Sequence, residues 1–170
     1  MAISAPPQGR SEHREGGGAV FHFAANSEVR VGATNPEVHF SEGVVATFNL
    51  LEAVRRAGVG QLVFASSSSV YGEPEAIPVD ESAPVRPVSV YGASKAACES
   101  LIHAYSRLYG LRAVVLRYAN VVGPRLGHGV VYDFILKLLK RPGELVILGD
   151  GSQVRSYVHV IGAVEATIIA

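Results

Sequence analysis

Gln61–Ser66, QLVFAS, is a short apolar run with Leu, Val and Phe side by side. It is too short for a helix, and its apolar residues are continuous rather than alternating, so it reads as a strand covered on both faces. The same pattern lies on either side of it. Upstream is AVFHFAA, Ala19–Ala25, and downstream is RAVVLR, Arg112–Arg117. Between the first two runs, Asn35-Pro36 is a cap-plus-first-turn signal with Glu37 just inside. Phe40, Val44, Phe48 and Leu51 then follow at helical spacing up to a stop at Gly58. Between the last two, a Pro-rich polar loop from Gly72 to Val88 leads into a second helix, Ser89–Tyr109, which ends at Gly110. Strand, helix, strand, helix, strand with continuously apolar strands means parallel pairing with helices on both faces, a doubly wound α/β sheet.

Composition narrows the function classes. Of 170 residues 48% are hydrophobic, and 15 basic residues balance 15 acidic ones. A net charge of zero offers no basic field to nucleic acid or to an anionic membrane. No apolar run approaches the roughly 18 residues of a spanning helix, and the single Cys98 forms no internal disulfide, so the cytoplasm is the expected compartment. Met1–Gly18 mixes Pro, Gly and charge without period and reads as a disordered tail, leaving 19–170 as the folded part. Beyond the third strand the expectations are a helix at Val131–Lys140, a strand at Leu145–Leu148, a turn at Gly149–Gly151, a strand near Tyr157 and the start of a helix at the C-terminus.

In open parallel sheets ligands sit beyond the carboxyl ends of the strands. After the second strand comes Ser66-Ser67-Ser68-Ser69-Val70-Tyr71-Gly72, after the third Tyr118-Ala119-Asn120, and the helix between them opens with Tyr91-Gly92-Ala93-Ser94-Lys95. Taken singly, a serine run suits a solvated loop, and a Tyr–Lys pair one turn apart suits a surface. Together they suit proton transfer. A free phenol, with a pKa of about 10, is a poor base at neutral pH and needs a nearby cation. Lys95 shares a helix face with Tyr91 and can supply that field. A hydroxyl from Ser67 can orient an oxygen whose proton Tyr91 removes, and the natural partner for deprotonating an alcohol is a hydride acceptor.

At this point the chain resembles the NAD-dependent epimerase and dehydratase family, the extended short-chain dehydrogenases. The stretches that carry the resemblance are FHFAAN (Phe21–Asn26), TFNLLEAVRRAGV (Thr47–Val59), FASSSSVYG (Phe64–Gly72), SVYGASKAACE (Ser89–Glu99), LRYANVVGPR (Leu116–Arg125) and GDGSQVRSYVHV (Gly149–Val160). The match implies a partial Rossmann-like parallel sheet with the beginning of a small substrate domain. It implies NAD as cofactor, no metal, and a nucleotide sugar of the UDP-hexose type as substrate. Tyr91 would be the general base, and Lys95 its partner on the nicotinamide ribose. Ser67 would touch the sugar oxygen, with Ser66 and Ser68 as its neighbours in register. Ala24 and Ala25 would let the cofactor approach closely, Tyr118 would line the nicotinamide pocket, Asn120 would contact the nucleotide sugar and Arg155 its diphosphate. Dehydratases of the family place acidic residues after the strand hydroxyl. Here Ser68 and Ser69 stand there, which favours epimerisation at C4.

Some family features are missing. No strand, glycine turn and helix of the dinucleotide-binding type precede Ala19, and Gly16-Gly17-Gly18 run into a strand instead of following one. The chain is therefore expected to lack the first βαβ unit and most of the substrate domain, leaving an open edge along Val20–Ala24. Gly43 stands where Asn is usual, Ser156 where Asp follows the Arg, and Ile161-Gly162 where acidic residues are common. A homodimer through Asn35–Gly58 and Ser89–Gly110 is expected from the resemblance. The alternatives to a truncated 4-epimerase are a nucleotide-sugar dehydratase and a non-catalytic, subunit-binding remnant.

Overall fold

β1 (Ala19–His22), β2 (Gln61–Ser67) and β3 (Arg112–Tyr118) form a parallel sheet in the order β1-β2-β3. Phe21 lies beside Val63, and Val63 beside Val114. The computed structural model describes residues 18–170. The tail expected at Met1–Gly18 thus falls, apart from Gly18, outside the described residues. The chain divides into two compact units, one running to Tyr118 and including Ala170, the other Ala119–Ile169.

In the first unit, α1 (Glu37–His39) passes through a π-helical segment (Phe40–Val45) into α2 (Ala46–Ala57). The helix ends where Gly58 takes the left-handed conformation and returns its N–H to the last turn, a role glycine fills without strain. α3 (Val90–Tyr109) starts at Ser89, whose Oγ accepts the Gly92 N–H at 3.0 Å. Leu51 and Val54 of α2, Cys98, Ile102 and Tyr105 of α3, and Leu62, Phe64 and Ala113 of the sheet share one core. Full burial of each large aliphatic or aromatic side chain in it contributes about 1.5–3 kcal/mol. The parallel α/β sheet is as the sequence indicates, but both helices lie on one face of it. Two successive right-handed crossovers that add strands in one direction place both helices on the same side. The second helical layer of a doubly wound sheet is not among the described residues.

The apolar stripe expected along the first helix is also displaced. Phe40 and Phe48 are exposed, while His39, Thr47, Leu51 and Val54 face inward. A π turn inserts one extra residue per turn and so rotates the helix on its N-terminal side relative to the helix on its C-terminal side. Thr47 can be buried because its hydroxyl has partners: His22 Nε2 at 2.9 Å and the Cys98 thiol, which donates at 3.3 Å. Residues 72–88 contain no helix or strand. Gly72, at φ +64°, marks their return, since a Cβ there would lie 2.1 Å from the Arg86 carbonyl oxygen. Among the described residues the outer edge of β1 is unpaired, and Phe21 and Phe23 are exposed beside it.

In the second unit, β4 (Asn120–Val122) pairs in parallel with β5 (Tyr157–His159), accompanied by α4 (Val130–Lys140) and α5 (Val160–Ile169). β4 was not expected from the sequence. The strand expected at Leu145–Leu148 does not form. The Val146 carbonyl accepts from Lys137 Nζ at 2.7 Å instead of from a neighbouring strand, and all four side chains are exposed. An apolar run is a strand only when a partner completes its ladder.

Candidate active site

β2 ends in consecutive serines whose side chains leave on opposite sides of the strand. Ser66 Oγ donates to Glu99 Oε1. Ser67 Oγ donates to Ser69 Oγ at 2.9 Å and accepts the Ser69 N–H at 3.2 Å, starting a 3-10 turn over Ser68–Tyr71. The first turn of α3 presses on that turn. A Cβ on Gly92 would lie 2.6 Å from the Ser69 carbonyl oxygen, so the absent side chain is what permits the contact.

This approach brings Tyr91 toward Ser67, whose hydroxyl favours the phenolate. The Tyr91 ring also meets the buried His39 ring edge-on, centroids 5.5 Å apart. One turn along α3, Lys95 is buried, and its Nζ donates to the Ala65 carbonyl at 2.6 Å. The ammonium sits 4.8 Å from the Phe64 ring centroid and 5.9 Å from that of Tyr91. Phenol, ammonium and serine hydroxyl are thus gathered at the carboxyl end of β2.

Burial dominates the electrostatics of the pair. Burial pushes the Tyr91 phenol above its ordinary value, and the Ser67 hydroxyl opposes this only in part. The Lys95 ammonium donates to the Ala65 carbonyl and lies over the Phe64 face, with the Tyr91 ring next to it. Burial in turn pulls the Lys95 ammonium down, while Cys98 and Glu99 hold it up.

The other expected residues are more dispersed. Ala24 is exposed and Ala25 half-buried just past β1, and Tyr118 at the end of β3 stacks on Phe23 with centroids 6.4 Å apart. Ser68 is exposed, and the Ser66 hydroxyl is committed to Glu99. Asn120 and Arg155 belong to the second unit, where Asn120 Nδ2 donates to the Ser156 carbonyl at 3.1 Å and Arg155 Nη1 to the Val154 carbonyl at 2.9 Å. Among the described residues no group of His, Cys, Asp and Glu could hold a metal ion. None of their helices is long and apolar enough to cross a membrane.

Sequence reasoning missed two neighbours of the site. Glu99, one turn beyond Lys95, is gripped by Arg117, which also reaches Tyr71. The spacing Tyr91, Lys95, Glu99 was available as a signal. His39 is buried with Nε2 lacking a hydrogen-bond partner, and no periodicity pointed to it.

A parallel α/β sheet with a phenol, an ammonium and a hydroxyl gathered beyond a strand end is the arrangement in which nucleotide-binding α/β folds hold their ligands. The chain belongs to the NAD dependent epimerase/dehydratase family, whose sequence profile matches residues 11–170. It is 40% identical over 164 residues to a UDP-glucose 4-epimerase of Streptomyces lividans, covering 89% of this chain and 50% of that protein. A solved UDP-galactose 4-epimerase superposes with a TM-score of 0.80 at 57% identity, over 88% of this chain and 49% of that one. The UDP-glucose 4-epimerase of Thermus thermophilus, solved in complex with NAD, gives 0.79 at 41% identity, over 89% and 52%. The chain spans about half the length of the relatives it matches.

Proposed function

We propose that the chain carries the proton-transfer site of a nucleotide-sugar 4-epimerase, an isomerase acting on UDP-hexoses, as a partial NAD-binding domain over residues 19–170. The observation that carries this reading is the buried Lys95 ammonium, held on the Ala65 carbonyl at the end of β2 and 5.9 Å from the Tyr91 ring centroid, next to Ser67. The residues present fit the reactive end of NAD: small Ala24 and Ala25 follow β1, and Tyr118 closes β3. No glycine turn between strand and helix for the pyrophosphate lies among the described residues. Tyr91, Lys95, Ser66, Tyr118 and the two alanines would hold the nicotinamide end, and Ser67, Ser68, Asn120 and Arg155 the nucleotide sugar. The cofactor supplies reversible hydride acceptance at C4.

The protein's part is proton handling. Ser67 orients the C4 hydroxyl, the Tyr91 phenolate takes its proton, and Tyr91 returns that proton to the inverted product. Because burial disfavours the phenolate, turnover rises with pH through the neutral range, where the phenol is protonated. Exposed Phe40, Phe48, Leu108 and Tyr109 on α1–α3 and the segments flanking them support the homodimer expected through those helices. The cytoplasm remains the proposed compartment.

The test is calorimetry of the chain with NAD, followed by conversion of UDP-galactose to UDP-glucose with wild type and Tyr91→Phe. A loss of about 10²–10⁴-fold in Tyr91→Phe is expected. No heat with NAD points to a non-catalytic remnant, and a 4-keto-6-deoxy product to a dehydratase.

A further inference from the structure

Glu99 and Arg117 stand in two of the family-like motifs, yet the proton transfer proposed above gives neither a task. Their geometry does. Three successive residues of β2 meet a row on α3 spaced by one turn. The Ala65 carbonyl accepts from Lys95, Ser66 Oγ donates to Glu99, and the Ser67 hydroxyl faces Tyr91, favouring its phenolate. Glu99 is held from β3 by Arg117, Nη2 to Oε2 at 2.7 Å and Nε to both oxygens at 3.1 and 3.2 Å. Arg117 is the register neighbour of Ser66. Its Nη1 donates to Tyr71 Oη at 2.8 Å and to the Glu81 carbonyl at 3.3 Å, so the same guanidinium reaches the 3-10 turn and the long loop. The two side chains are only 17% and 12% exposed, unlike a surface pair.

We propose that Glu99 and Arg117 are positioning residues whose ion pair fixes the end of β2 against α3, setting Ser67 on Tyr91 and the Ala65 carbonyl on Lys95. The proposal rests on the reading of Tyr91 and Lys95 as the reacting pair. Fixing the Ser66 side chain on one side of the strand fixes the peptide planes on either side of it, and these carry the Ala65 carbonyl and the Ser67 side chain. A buried ion pair adds little net stability because desolvation offsets its attraction, but it enforces one geometry where several packings would serve. The Glu99 carboxylate also supports the Lys95 ammonium. The other titratable groups facing Lys95 are Cys98 and Tyr91 on α3 and His22 on β1.

The test is ¹³C NMR titration of the full chain labelled at lysine and tyrosine, in wild type, Glu99→Gln, Arg117→Lys and Ser66→Ala. In folded Glu99→Gln the Lys95 midpoint falls by about one unit, a tenfold loss of proton affinity, while Lys137 and Lys140 do not move. In all three variants the Tyr91 midpoint rises as Ser67 is displaced. Arg117→Lys keeps the charge but loses the fork and does not restore Tyr91. Folded variants in which Lys95 and Tyr91 titrate as in wild type overturn the proposal. If the ion-pair variants do not fold, Ser66→Ala decides: a raised Tyr91 midpoint supports the clasp and an unchanged one overturns it. These midpoints are read without cofactor or substrate, so failure of the epimerase assay is a separate result.

Discussion

Replacing Gly92 by Ala tests whether α3 truly rests against the end of β2. The new Cβ would lie 2.6 Å from the Ser69 carbonyl oxygen and 3.1 Å from Pro87 Cβ. The first neighbour is backbone and cannot swing aside, so the helix start or the 3-10 turn must shift. Overpacking of this kind costs about 1–3 kcal/mol, and Ala's helix propensity returns at most about 1 kcal/mol, less in a first turn. A net loss of about 1–2 kcal/mol is expected. Gly43 is the control, in the same unit and also helical. A Cβ there meets Ser94 Oγ at 3.4 Å and Ser94 Cβ at 3.5 Å, ordinary contacts. Gly43→Ala should therefore gain about 0.5–1 kcal/mol. At roughly 4–8 °C per kcal/mol for a unit of this size, the two variants should melt on the order of 10 °C apart, with wild type between them. Thermal and urea unfolding followed by circular dichroism measure this. A Gly92→Ala protein as stable as wild type would refute the close approach, and with it the seating of Tyr91 on Ser67.

Three further outcomes are expected of the same structure. Burial, and secondarily Lys95, hold the His22 imidazole below its ordinary value. The unfolded chain therefore binds the proton more readily, and stability is full above pH ~6.5 and declines as pH falls below it. His22→Gln should flatten that slope in urea titrations. Glu52 is held at about 2 by Arg55 and by the Tyr105 hydroxyl, which donates at 2.7 Å, against an ordinary 4.5. Its stabilising effect is present above pH 4.5 and lost as pH falls toward 2, so carboxylate NMR should show Glu52 titrating well below its ordinary 4.5. Leu51→Ala, at a fully buried site, should cost about 2–5 kcal/mol in the same unfolding assay.

Much of the architecture is written in local signals. Each strand of the main sheet is a short apolar run, and each main helix is punctuated by its own residues, Ser89 at one start and Gly58 and Gly110 at the stops. The Tyr91–Lys95 pair was legible for the same reason, since one helical turn fixes a shared face whatever surrounds it. What escaped depends on partners far along the chain. Leu145–Leu148 has strand composition but no ladder, and the three residues of β4 acquire one only because Tyr157–His159 lies beside them. Phe40 looked like core and His39 did not, until the π turn reversed them.

The serine run shows the limit most clearly. Composition cannot say which of four consecutive serines faces the site. Strand alternation makes Ser66 and Ser67 opposite in role once β2 is known to run through Ser67. Ser66 then serves the Glu99–Arg117 pair and Ser67 serves Tyr91. The same strand end also sets the surroundings of the Tyr91–Lys95 pair. Lys95 donates to the Ala65 carbonyl beside the Tyr91 ring, and burial is the largest influence on both groups, raising one and lowering the other. For Tyr91 to work as a base near neutral pH, an ammonium must be brought to bear on its hydroxyl or the site must take up charge from a bound ligand. Both shifts favour the uncharged form of each group, so a ligand that draws the Lys95 ammonium toward the phenol would favour the phenolate.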